Sequence, residues 1–158
     1  MIIIGIDPGT ANTGYGIVKK QGPKIFKCID YGLIKTEPSM TTPDRLKKLS
    51  NELSKIIVKY RPKILVTERL YFFKNLKTVI PVSQAGGVIL LCAAKKKIPV
   101  HQYTPLQVKM AIAGHGWAEK KLVQKKIKKL LKLKEIPKSD DAADALAVAM
   151  TYFIIGKT

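Results

Sequence analysis

The sequence predicts an α/β fold: a five-stranded mixed sheet with helices on both faces. Three observations carry this. Three apolar runs near the N-terminus are joined by links too short for a crossover, so they form an antiparallel meander. Two further apolar runs each follow a helical pattern, so they enter the sheet by crossovers. The rest of the chain has helical periodicity, giving the order βββ-α-β-α-β-α-α-α. With 158 residues, the chain has the size of one ordinary domain, expected to span residues 1–158.

Each element has a local reason. Residues 1–6 are an unbroken apolar run rich in Ile, as expected for a strand buried on both faces. Pro8-Gly9 breaks it. Residues 15–19 and 24–35 follow as strands, linked through Gly22-Pro23. Thr42-Pro43 opens a helix, Thr42 as N-cap and Pro43 at the first position. Leu46, Leu49, Leu53, Ile56, Ile57 and Tyr60 form its apolar stripe, which runs to Arg61-Pro62. Residues 63–67 make a fourth strand, ending at Glu68. A helix is expected over 81–97 and a fifth strand over 98–103. Helices over 105–112, 118–133 and 140–155 complete the chain. The small residues around 84–94 suit either the core or a close helix–helix contact between two copies.

Composition narrows the function. Twenty-nine Lys+Arg against 11 Asp+Glu give a net charge of +18 and a pI near 10. Such a surface attracts polyanions, nucleic acid first. Cys28 and Cys92 form no CxxC pair, and His101 and His115 are not spaced to join them on zinc. The chain reads as a cytoplasmic protein with reduced thiols. Its apolar start is too short for a signal peptide and is interrupted by Asp7.

With so few acids, their placement is informative. Asp7 and Glu68 end two strands, and ligands of open α/β sheets gather at such ends. In SDDAADALAVA, Asp141 and Asp144 lie three apart and share a helix face. Asp140 also neighbours Asp144. The alanines among them let this helix lie close to the sheet, which would bring Asp144 near Asp7. Converging carboxylates repel one another and need cations. Oxygen ligands without Cys or His select Mg²⁺ or Mn²⁺. A pair of such ions clamps a phosphodiester during in-line attack. Taken singly, the acids other than Asp144, which lies amid alanines where an unpaired charge has little purpose, have plainer readings. Asp7 suits an Asx-turn, Glu68 a surface pair with Arg69, and Asp140 and Asp141 the positive end of a helix.

GIDPGTANTGYGIV, VTERLYFFKN, SQAGGV, QVKMAIAGHGWAEK and DAADALAVA occur in this order. Together they resemble the RuvC family of bacterial Holliday-junction resolvases, from residue 1 to about residue 152. The resemblance implies a ribonuclease H-like fold. It implies a homodimer that binds a four-way DNA junction and nicks two opposed strands symmetrically, leaving 5′-phosphate and 3′-hydroxyl ends. The family's catalytic, metal-binding acids fall on Asp7, Glu68, Asp141 and Asp144, with a pair of Mg²⁺ ions (or Mn²⁺) as cofactor. Asp140 precedes the motif and is not expected among the ligands. Tyr71, three past Glu68, matches an aromatic placed near the crossover point. Lys109, Lys120 and the adjacent Lys121 match DNA contacts. The RuvAB branch-migration motor is the implied partner.

Two rival classes remain open in the sequence. One is a junction-binding protein that has lost its chemistry; the presence of all four acids opposes it. The other is an actin-like ATPase, because GIDPGT resembles a phosphate loop. That fold needs a second such half, which this sequence lacks. His115, in the GHGW loop, reads as a polar loop residue rather than a proton shuttle.

Overall fold

In the computed structural model, residues 1–9, 11–69 and 76–156 are described. Among the described residues, five strands and five helices follow in the order read: β1 (Ile2–Asp7), β2 (Asn12–Gly22), β3 (Ile25–Lys35), α1 (Thr42–Tyr60), β4 (Ile64–Glu68), α2 (Leu76–Lys95), β5 (Val100–Tyr103), α3 (Pro105–Ala113), α4 (Lys120–Leu130) and α5 (Asp140–Ile155). The sheet order is β3-β2-β1-β4-β5. The meander pairs antiparallel, whereas β1–β4 and β4–β5 pair parallel. This is the mixed sheet that the link lengths predict.

Side chains alternate across the sheet and so build two cores. Ile3, Val18 and Val66 face α3, α4 and α5, where Val108, Ile112, Val123, Ile127, Leu146 and Met150 meet them. Ile4, Ile6, Ile17 and Leu65 face α1 and α2, against Leu49, Leu53, Ile57, Ala85, Ile89 and Cys92. Fully buried residues such as Leu146 and Met150 contribute about 1.5–3 kcal/mol each. The same alternation turns Gly5 and Asp7 to the α5 side.

Helix α5 lies unusually close to the strands. A Cβ at Gly5 would collide with the Ala145 carbonyl and with Ala149, and one at Gly14 would collide with the Asp141 carbonyl. Only glycine admits the helix backbone at these two points. The alanines of α5 are one half of this fit and the strand glycines the other.

Several boundaries differ from those read in the sequence. Strand β2 begins at Asn12 rather than residue 15, because both of its flanks have partners: Asp7 opposite Gly14, and Lys35 opposite Asn12. The N-cap of α1 is Thr41, not Thr42; its side chain accepts the Asp44 N–H at 3.3 Å, and Pro43 lies in the first turn. Arg61 ends this helix in the left-handed region (φ 47°), its N–H bonded to the Ile57 carbonyl at 2.8 Å. Helix α2 starts at Leu76, so Pro81 lies inside it rather than opening it. A proline one turn in forfeits a single backbone hydrogen bond, which the apolar contacts of this helix tolerate. Helix α4 is shorter than residues 118–133, because Lys132 takes a positive φ of 51°.

Candidate active site

The carboxyl edge of the sheet gathers the acids. Asp7 is the last residue of β1. The neighbouring strand β4 runs parallel, with Ile6 opposite Thr67, and therefore delivers Glu68 to the same edge. The Arg69 N–H donates to the Tyr103 carbonyl at 2.7 Å, which ties the chain leaving Glu68 to β5. Asp141 and Asp144 occupy the first turns of α5, where the Ser139 hydroxyl accepts the Ala142 N–H at 3.5 Å. The close seat of α5 on Gly14 sets the depth at which both reach the edge.

Burial and mutual repulsion act together here. Burial, then the charges of Asp144, Glu68 and Asp141, push the Asp7 carboxyl up to about 8, with Lys120 opposing. Glu68 is raised by burial and by Asp144, against the pull of Lys120 and Lys109. Asp144 is raised by burial, and its contact with Lys120 only partly offsets this. The three shifts have one cause: negative charge is crowded into a place where water screens poorly.

Lysine supplies part of the compensation. Lys120 Nζ lies 2.9 Å from Asp144 Oδ2 and 3.3 Å from Asp140 Oδ2. Burial works against the lysine's charge, but the two aspartates prevail and raise its pKa. Gln124 Nε2 donates to Asp140 Oδ1 at 2.7 Å. Asp140 is exposed and is held below the usual carboxylate range by Gln124 and Lys120. It therefore faces α4 and anchors Lys120. Glu68, Asp144, Lys109 and Lys120 line one cleft of about 220 Å³, floored by Val108, Val123 and Ala147.

The structure thus couples Asp7, Glu68, Asp141 and Asp144, and it puts Lys109 and Lys120 beside them. Lys121 is exposed on α4 and does not line the cleft. Tyr71 lies outside the described residues. Among the described residues, no three acid, His or Cys side chains converge closely enough to hold an ion as they stand. The expected ligand cluster is coupled through space but splayed, because like charges repel and Asp144 is drawn to Lys120. Two parts of the site escaped sequence reading. The glycines that seat α5 carried no signal beyond their alternation in GIDPGTANTGYG. Gln124, four past Lys120 on α4, pointed to a shared helix face.

The chain and its fold have counterparts among known proteins. Residues 3–152 match the family described as "Crossover junction endodeoxyribonuclease RuvC". This chain belongs to the RuvC family. A RuvC relative from Alkaliphilus metalliredigens is 53% identical over 152 residues, covering 96% of this chain and 92% of the relative. The Thermus thermophilus RuvC structure superposes with a TM-score of 0.90 at 32% identity, covering 99% of this chain and 95% of that one. T. thermophilus RuvC in complex with a Holliday junction substrate gives a TM-score of 0.93 at 32% identity, over 99% and 94%. The ribonuclease H-like fold implied by the sequence motifs is the fold of these RuvC structures.

Proposed function

We infer that this RuvC-family chain is a Holliday-junction resolvase, a DNA-cleaving hydrolase of recombination and repair. One observation carries the reading: four acids from three separated segments are electrostatically coupled at one sheet edge, inside a strongly basic chain of this family. Asp7, Glu68, Asp141 and Asp144 are assigned as its catalytic acids.

The site suits a hard divalent cation. Its donors are all carboxylate oxygens, and a cation relieves the burial of charge and the mutual repulsion that together raise Asp7. The four acids would hold Mg²⁺ or Mn²⁺, and a bound pair would activate water and stabilise the leaving oxygen. The chain's own groups do the rest. Lys109 and Lys120 line the cleft and supply ammonium donors to an entering phosphate. Asp140 and Gln124 keep Lys120 in place meanwhile. Val108, Val123 and Ala147 give the cleft an apolar floor that limits water.

Symmetric nicking of opposed strands needs two copies. The apolar outer face of α2, with Ile80, Leu90 and Leu91 exposed, is the surface proposed to join them. A RuvAB partnership and a cytoplasmic setting are proposed on family membership alone.

The test is cleavage of a synthetic four-way junction beside a linear duplex in Mg²⁺, with Asp7→Asn as control. The resolvase cuts the junction selectively, and the variant binds it without cutting. Equal cutting of both substrates would reduce the reading to a general nuclease. A variant as fast as the parent would remove Asp7 from the site.

A further inference from the structure

One exposed surface borders the cleft and has no part in holding the acids. Trp117 is the only tryptophan of the chain and is 82% exposed. An indole gains most from burying its large face, so one left in water at this position lacks a structural purpose. Its ring rests on His115, with centroids 4.7 Å apart and planes tilted by 33°. Among the described residues the buried His115 Nδ1 meets no hydrogen-bond partner, so ring contact rather than hydrogen bonding through that atom holds the imidazole. On the outer side of α3, Leu106 is 61% and Met110 51% exposed. Gly116 fits against both: a Cβ there would run into Leu106 and reach Met110. The loop before α4 and the exposed ridge of α3 therefore present one aromatic and apolar surface.

Charge identifies what such a surface meets. Lys109, on α3 between Leu106 and Met110, and Lys120, the first residue of α4, flank it, and both also line the cleft. Glu119 is the only acid in the segment 105–121. An apolar protein partner would have to bury these lysines, whereas DNA neutralises them with phosphates and offers π-faces to the indole. Duplex DNA hides those faces in its stack; a branch point exposes them.

We propose that Trp117, backed by His115 and flanked by Leu106 and Met110, stacks on an unstacked base of the DNA branch whose phosphate lies in the cleft. The proposal rests on the junction-resolving reading and adds a positioning residue to it. Trp117 fixes where the strand enters relative to Lys109 and Lys120, and the acids act on what it positions.

The single tryptophan is its own probe. The full chain is titrated with a four-way junction in chelator, and indole emission is followed. Emission falls on junction binding and changes little with linear duplex. Trp117→Ala weakens junction binding about tenfold, and Trp117→Phe recovers most of the loss, because stacking needs a ring rather than an indole. The dependence of binding on salt is unchanged in both, because no phosphate contact is lost. Unchanged emission at saturating junction, together with an affinity for Trp117→Ala within about twofold of the parent, would overturn the proposal. Equal quenching by linear duplex would overturn the unstacked base. A shift in the sedimentation of the DNA-free chain on Trp117→Ala would reassign the surface to contact between copies. These failures leave the parent cutting junctions. A parent that neither binds nor cuts them would instead refute the resolvase reading itself.

Discussion

Helices α5 and α2 cover opposite faces of the same sheet and are both rich in small and apolar residues, yet they are used differently. In α5, nine residues from Ala142 to Thr151 are buried, and the strand glycines admit its backbone. Along α2, the stretch Thr78–Lys95 is apolar enough by length and composition to cross a membrane, but only 22% of it is buried. It seats Ala85, Ile89 and Ala93 on the sheet side and leaves Ile80, Leu90 and Leu91 in water. Hydrophobicity alone does not separate them. Contact with glycine-bearing strands makes α5 a rigid mount for acids, and the unfilled outer face of α2 is the surface proposed above for a second copy.

The sharpest break in this contrast is at the acidic end of α5. Asp144→Asn keeps the fold and the close seat, and is expected to slow junction cleavage about a thousandfold, or roughly 4 kcal/mol in the barrier. Single-turnover cleavage with a thermal melt checks it. A slow variant that also melts early would mean that Asp144 holds structure. Next comes Gly14→Ala, which pushes a methyl group at the Asp141 carbonyl. It should lower stability by roughly 1–3 kcal/mol and the cutting rate about tenfold, as denaturant melts and cleavage assays would show. Unchanged values for both would mean that the seat is loose.

On the other face, Leu91→Glu should dissociate the proposed pair in sedimentation while leaving the melt of the separated chain within about 0.5 kcal/mol. It should also uncouple the two nicks, so that singly nicked junctions accumulate. An unaltered sedimentation profile would remove α2 from the interface. The smallest effect concerns pH. Asp7 has a folded pKa near 8, above its ordinary value of 3.8. Between those values the folded chain binds more protons than the unfolded one, so this group lowers stability as pH rises. In chelator, Asp7→Asn should therefore melt about 3 °C or more above the parent at pH 8, with the gap closing toward pH 4. A gap that widens on acidification would reverse the sign.

Much of this was legible in the sequence. Link length gave the antiparallel meander and the parallel crossovers, and the Ile run of β1 marked a strand buried on both faces. The four acids could be grouped because DAADALA puts Asp141 and Asp144 on one helix face and because Asp7 and Glu68 end strands. What stayed hidden depends on tertiary contacts. Gly5 reads as one more residue of the first strand and Gly14 as a loop glycine until α5 is laid across them. Pro81 reads as a helix start, yet packing carries α2 through it. The pairing of Lys120 with Asp144, which helps keep the carboxylates splayed, joins residues with no periodic relation.

The acids of the edge lie at positions 7, 68, 141 and 144, and α5 follows all five strands in the chain. A growing polypeptide that has not yet passed Ser139 carries two of the four acids and none of the helix that seats the rest. On the assignment proposed above, such a chain cannot yet cut DNA, although its five strands, complete by Tyr103, can already pair; the seating of α5 is the step that arms it.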